Sequence, residues 1–127
     1  MITLEKTPVS ESRFSRVKKV PLGVATLLFV SGITSREEAP YDVAKQTEII
    51  FACIGELLAE HGAALSDIVK IGVFLTDMRE YDRYNAVRNR IFADVSSPPA
   101  STAVEARLGK PAARIEIEAT AVVTAST

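Results

Sequence analysis

The sequence predicts a layered domain of the α/β or α+β class, a sheet with two helices on one face. Three observations carry that prediction. Val43, Thr47, Ile50, Ile54 and Leu57 recur at helical spacing, and Ala44, Phe51 and Leu58 widen the stripe. The segment DIVKIGVFLTD alternates apolar and polar residues with a period of two, which puts Val69, Ile71, Val73 and Leu75 on one strand face. Strand and helix patterns then follow one another as β-β-α-β-α-β-β within 127 residues, a length that suits one domain, 1–127.

In chain order, Ile2–Leu4 is a short edge-strand candidate, followed by a polar loop through Ser15. Val17–Val20 is a second strand, closed by a turn at Pro21–Gly23. VATLLFVSG is a continuous apolar run, read as a buried strand ending at the Ser31-Gly32 pair. After the loop ITSREEAP, the first helix is expected from Asp42, a favourable N-cap, to His61, with Gly62 as its stop. Asp77 and Glu80 have capping-box spacing and begin a second helix that runs to about Phe92, with Tyr84, Val87 and Ile91 as its apolar stripe. Pro98-Pro99 enforces an extended entry into SSPPASTAVEARLGKPAARIEIEATAVV, which reads as a final hairpin of two strands around a Gly/Pro turn. With no third helix to cover the second sheet face, other subunits are expected to bury it.

Composition excludes several function classes. At 47% hydrophobic residues the chain can build a core and is not expected to be disordered. Fifteen basic residues against sixteen acidic ones give no charge excess for a polyanion, and the cluster Arg16, Lys18, Lys19 is too small to make a groove. No apolar run is long enough to span a membrane, and the first residues lack the apolar core of a signal peptide, so a cytoplasmic location is expected. One cysteine forms no internal disulfide and suits a reducing compartment.

The usual catalytic motifs are absent: no phosphate-binding glycine loop, no nucleophile elbow, no dinucleotide fingerprint. His61, the single histidine, lies at a helix end where its ring suits the dipole. Cys53 falls mid-helix among apolar neighbours and reads as a core residue. One His and one Cys make no zinc site, and Ser31 and Ser101 lack a second base for a triad. No metal or cofactor is expected. The carboxylates of RIEIEA are the informative group. Ile115, Ile117 and Ala119 face one way, Glu116 and Glu118 the other. Glu116 and Glu118 then belong either to a solvated strand face or to a subunit crevice, where desolvation raises a carboxyl pKa and suits it to general acid/base work.

Taken together, LLFVSGI, DIVKIGVFLTDM, YNAVRNRIF, STAVEARL and IEIEATAVV resemble, in order and spacing, the RidA (YjgF/YER057c/UK114) family of enamine/imine deaminases, from about Val24 to Val123. The resemblance implies an α+β chorismate-mutase-like fold, a homotrimeric barrel, and small-molecule sites in the clefts between subunits. It implies that Glu116 holds the attacking water. It places Ser31 and Gly32 on the family's pocket-lining Ser-Gly pair, Asn85 on the asparagine of the second helix, and Thr102 where many members have a cysteine. Phe14 takes the place of a pocket tyrosine.

One position departs. Deaminase members read Pro-x-Arg-Ser where this chain reads Pro98-Pro99-Ala100-Ser101, so Ala100 replaces the arginine that clamps the substrate carboxylate. A desolvated Arg–carboxylate pair contributes about 2–4 kcal/mol, so losing it weakens binding of amino-acid-derived imines roughly 30- to 1,000-fold. Arg13 and Arg36, from flanking loops, are candidates to replace it. The expected activity is hydrolytic deamination of a small enamine or imine with altered substrate choice. The alternative is a non-catalytic metabolite-binding or regulatory trimer. Endoribonuclease activity, assigned to some relatives, fits the balanced charge least. Neither nucleic acid nor membrane is expected as a partner.

Overall fold

The computed structural model describes residues 13–35 and 41–124, so the expected strand Ile2–Leu4 and Arg36 lie outside the described residues. The described elements are β1 (Val17–Pro21), β2 (Ala25–Ile33), α1 (Val43–Ala59), β3 (Ile68–Leu75), α2 (Tyr81–Ile91), β4 (Ala100–Glu105) and β5 (Ile115–Thr124). The order is the expected β-β-α-β-α-β-β.

Five strands form one mixed sheet in the spatial order β1-β2-β5-β3-β4. β4 runs parallel to β3, and every other neighbouring pair is antiparallel. Crossover helices explain this arrangement, because parallel neighbours need a long connection that packs back over the sheet. α2 carries β3 to β4 in this way. α1 carries β2 to β3 and leaves a gap between them that β5 later fills.

The expected final hairpin is therefore not formed. β3 lies between β4 and β5, and residues 106–114 cross over it. Stepping over one strand covers roughly 10 Å at the ~4.8 Å interstrand spacing, well within that segment's reach. As a central strand, β5 alternates strictly, with Ile115, Ile117, Ala119 and Ala121 buried.

Both helices pack on one sheet face. Val43, Ile50, Phe51, Ile54, Leu57 and Leu58 of α1 and Tyr84 of α2 join Leu28, Val30, Ile71, Val73, Leu75 and the buried side of β5 in one core. Phe51 meets Phe92 edge-on at 5.5 Å between ring centroids. Gln46, also buried, receives the Arg114 N–H on Oε1 at 2.9 Å and donates from Nε2 to the Ala112 carbonyl at 3.1 Å. It thereby ties the β4–β5 connection to α1. Cys53 is half-buried at the margin of the core.

The caps account for the helix limits. Asp42 Oδ1 accepts from the backbone N–H of Ala44 at 2.8 Å, as expected of an N-cap. α1 ends at Ala59, two residues short of the predicted His61. Gly62, at φ +75°, turns the chain through the left-handed region while the Ala63 N–H returns to the Leu58 carbonyl. Before α2, the expected capping box does not form. Asp77 caps a 3-10 turn over Met78–Glu80 by accepting from the Arg79 N–H at 3.0 Å, while Glu80 pairs with Arg114, Nε to Oε1 at 2.8 Å.

Two irregularities shift side chains between sheet faces. Ile68 pairs with Ala121 and Lys70 with Thr120, so Val69 is an extra residue. Ile68 is consequently buried and Val69 is 48% exposed, against the expectation that Val69 shares the face of Ile71. On β2, Val30 pairs with Ala119 and Ile33 with Ile117. Three residues there span two on β5, which bulges the strand at Ser31-Gly32 and carries it on to Ile33.

Candidate functional site

The face without helices carries Phe29 on β2, Glu116, Glu118 and Thr120 on β5, Lys70, Gly72 and Phe74 on β3, and Thr102 and Val104 on β4, as the strand registers require. Each carboxylate lies against a glycine. A Cβ placed on Gly32 would sit 2.0 Å from Glu116 Oε2, and one on Gly72 would sit 3.0 Å from Glu118 Oε2. The first distance is incompatible with any side chain at position 32 unless Glu116 moves. The β2 bulge and the missing Cβ together give the Glu116 carboxylate its place.

Ser31 anchors the segment that precedes β1. Its Oγ–H donates to the Ser15 carbonyl at 2.7 Å and its N–H to the Arg16 carbonyl at 2.9 Å. That anchoring sets Phe14 at the rim of a cavity of about 360 Å³, whose walls include Ser31, Phe29, Lys18, Lys70 and Glu118. Lys70 Nζ donates to Thr102 Oγ1 at 3.0 Å. Arg13 is exposed beside Phe14.

The remaining predicted residues gather elsewhere. Ser101 pairs with Ile71, whose side chain is buried under the helices, so Ser101 turns to the helix side of β4. Ala100, exposed at the start of β4, pairs with Lys70. Asn85 on α2 accepts from Arg88 Nη2. Tyr84 is fully buried, and among the described residues its Oη is the buried side-chain polar atom with no hydrogen-bond partner. Burial pushes its hydroxyl above the ordinary phenol range, against the opposing influence of nearby Ser101 and Arg88. A second cavity of about 430 Å³ adjoins this cluster, lined by Arg88, Asn89, Phe92, Pro98 and Pro99.

Within one chain the predicted residues divide by sheet face. Phe14 and Ser31 line the 360 Å³ cavity, and Gly32 and Glu116 lie beside each other. Ala100 and Thr102 share the helix-free face with Lys70 and Gly72, whereas Asn85 and Ser101 lie on the helix side. β5 and β4 are separated by β3, about 10 Å from one to the other at normal strand spacing. Sequence reasoning did not single out Arg88 or Lys70, whose contacts depend on cross-strand and helix neighbours. Among the described residues no cluster of three or more His, Cys, Asp or Glu could hold a metal ion, and no helix is long and apolar enough to cross a membrane.

The scaffold is of the α+β class, a mixed sheet with two helices on one face and, on the open face, a glutamate seated against a bulged glycine. The chain belongs to the Endoribonuclease L-PSP family, the YjgF/RidA family, whose model matches residues 4–123. A RutC family protein of Pyrococcus abyssi is 34% identical over 127 residues, covering 95% of this chain and 94% of that protein. The YjgF gene product of Escherichia coli superposes with a TM-score of 0.74 at 31% identity, covering 87% of this chain and 88% of that one. E. coli TdcF, solved with bound serine, gives a TM-score of 0.72 at 29% identity over 84% and 86% of the two chains. The K12 sequence of TdcF carries the name "Putative reactive intermediate deaminase" and is 31% identical over 84% of each chain.

Proposed function

We propose that this protein hydrolyses a small reactive enamine or imine to a carbonyl compound and ammonia, in clefts between the subunits of a homotrimer and without a cofactor. The observation that carries the reading is the Glu116 carboxylate held against the Cβ-less face of Gly32. A carboxylate fixed at an open face can hold a water and move its protons. An enamine substrate first takes a proton on carbon and becomes the imine. Glu116 then orients water toward the C=N carbon, takes one of its protons as the C–O bond forms and returns it to nitrogen. The hydroxyl proton of the resulting carbinolamine passes to nitrogen in the same way as the C=O bond forms, the C–N bond breaks and ammonia leaves. Backbone groups near Gly32 and Thr102 hold the substrate while this happens.

A trimer supplies what one chain lacks. The helix-free face exposes Phe29 and Val104, and a neighbouring copy covering it would bring one chain's Ala100–Thr102 edge toward another's Gly32–Glu116 half. The kinship with TdcF supports deaminase chemistry. The test is ammonia release from imines generated in situ by a dehydratase or an amine oxidase. Turnover abolished in Glu116→Gln supports the reading, and turnover unaffected by that change refutes it.

One observation favours a second reading, a metabolite-binding trimer without turnover. Ala100 offers a methyl group where the deaminase pattern has a cation. Saturable binding with no ammonia release from any imine tested would establish it. Endoribonuclease activity, which the family's name records, is the least supported, since fifteen basic against sixteen acidic residues provide no phosphate-binding excess.

A further inference from the structure

We infer that Arg88 is the anion-recognising residue of a small-carboxylate subsite on α2, at the cavity bounded by Phe92, Pro98 and Pro99. The inference deepens the proposed function and rests on it for the membership of Asn85 and Ser101 in the pocket.

Among the described arginines only Arg88 and Arg114 are half-buried. Arg114 is matched by Glu80, Nε to Oε1 at 2.8 Å. Two exposed arginines also meet carboxylates, Arg79 with Asp77 at 2.9 Å and Arg90 with Glu48 at 2.5 Å. Arg88 is different. Its hydrogen bonds run to the amide oxygens of Asn85 and, at 3.2 Å, Asn89, the hydroxyls of Tyr81 and Tyr84 also interact with it, and its guanidinium carbon lies 5.4 Å from the centre of the Tyr84 ring. Among the described residues no carboxylate lies within ion-pair distance of it. Amides and a ring face satisfy N–H groups and orient the plane without cancelling the charge. A partly desolvated cation without a counter-charge is unfavourable, and an anionic ligand removes that penalty.

The surroundings narrow the ligand. Both hydrogen bonds leave from Nη2, the nitrogen common to both paired-donor edges of the guanidinium, so Nη1 is the nitrogen left to meet a ligand. Tyr84 is buried and packed against Tyr81 at 5.7 Å, which makes it a fixed platform for the guanidinium plane. A single charge-assisted hydrogen bond from the remaining nitrogen suits one oxygen of a carboxylate. One cation balances one negative charge, whereas a phosphate dianion would call for more donors. Phe92, Pro98 and Pro99 give the cavity apolar walls, and about 430 Å³ accommodates a short chain. The ligand is a small monocarboxylate with a short apolar body.

NMR titration of the full chain with butyrate, its neutral isostere butyramide and inorganic phosphate tests this. Butyrate should saturably shift the Arg88 Nε–Hε signal and the Asn85 and Asn89 side-chain amides, and butyramide should bind at least about tenfold more weakly. Arg88→Gln should weaken butyrate by at least about tenfold. Arg83→Gln, which removes the same charge from an exposed position of the same helix, should leave it within about twofold. Tyr84→Leu should weaken butyrate by loosening the platform, and Tyr84→Phe, which keeps the ring but loses the hydroxyl near Arg88, should weaken it less.

Equal losses at Arg83 and Arg88 would overturn the inference in favour of diffuse charge attraction. Equal affinity for butyrate and butyramide would overturn it in favour of apolar binding. Tighter binding of phosphate would overturn the ligand class. Because binding is read without turnover, the two readings separate. Arg88-dependent butyrate binding in a protein that releases no ammonia keeps the subsite and removes the enzyme. Turnover with Arg88-independent binding does the reverse.

Discussion

Glu116 and Gly32 share one space: the carboxylate Oε2 stands 2.0 Å from where a Cβ at position 32 would be. The β2 bulge that places Gly32 there makes the glycine a condition of the glutamate's position rather than a relaxed turn residue. Gly32→Ala should therefore keep the fold and displace the carboxylate. Turnover should fall by about 10²-fold or more, in line with the loss of a positioned acid/base. Circular dichroism and thermal melting would establish that the variant is folded, and unchanged turnover in that variant would remove Glu116 from the chemistry.

The two carboxylates of β5 should separate in function. Glu116→Gln keeps size and hydrogen bonding but loses the base, so turnover should drop about 10²–10⁴-fold with ligand binding retained. Glu118 is exposed and lies against Gly72 on the 360 Å³ cavity. Glu118→Gln should change turnover by less than about tenfold. Comparable losses in the two variants would mean that the carboxylates act as a pair.

How much of this was legible in the sequence depends on whether the cause was local. The α1 stripe, its Asp42 cap and the alternation of β5 are local patterns, and each was recovered; β2 formed as a strand but is buried on one face only, at Leu28 and Val30, with Phe29 exposed on the other. Alternation put Glu116 and Glu118 on one strand face alike, and the family resemblance singled out Glu116. The failures were all non-local. Val69 left its face because β3 carries one residue more than β5, a mismatch that only the paired register reveals. Glu80 abandoned the capping box for Arg114, thirty-four positions away. Two strands joined by a short Gly/Pro segment imitate a hairpin until the α2 crossover fixes β4 beside β3. Arg88 looked like one charge among many on a polar helix, and what sets it apart is that among the described residues no carboxylate lies within ion-pair distance of it.

Tyr84 should show the cost of a buried hydroxyl without a partner. Tyr84→Phe is expected to raise stability by about 1 kcal/mol in denaturant titrations, since an unsatisfied buried donor costs about that much or more. Burial raises the folded-state pKa of Tyr84 above the phenol value of 10.0. The folded protein therefore binds this proton more tightly than the unfolded chain. That stability contribution is fully present below about pH 10. It is lost as pH rises through the raised folded value. The alkaline decline in melting temperature should be shallower in Tyr84→Phe. A phenylalanine variant that is less stable, with the same alkaline decline, would mean the hydroxyl has a partner.

Assembly is open to direct measurement. Sedimentation or mass photometry should give about three times the 13.7 kDa of one chain. A charge placed on the helix-free face, Phe29→Glu, should shift the protein toward monomer, because Phe29 is 42% exposed in the isolated chain and would be buried between copies. A stable wild-type monomer at micromolar concentration would leave the Gly32–Glu116 pair without a neighbouring copy's Ala100–Thr102 edge and refute the cleft model.

Ala100 and Arg88 can be tested against each other. Ala100 is an alanine where the deaminase pattern has an arginine, and the two prolines before it share a cavity with Arg88. If Arg88 already supplies the anion contact, the arginine at position 100 is redundant here. Ala100→Arg alone should then change butyrate affinity by less than about threefold, since a second cation would add attraction for the ligand and repulsion from Arg88. In the Arg88→Gln background the same substitution should recover most of the lost affinity. The recovery is expected to be partial, because a new guanidinium at position 100 lacks the Tyr84 platform and the asparagine oxygens that orient Arg88. The double-mutant cycle reads the coupling directly. Additive effects would place the two positions in separate sites. A large gain from Ala100→Arg in the wild-type background, with ammonia released from 2-aminoacrylate, would mean that the pocket had lost its clamp and that Arg88 does not replace it.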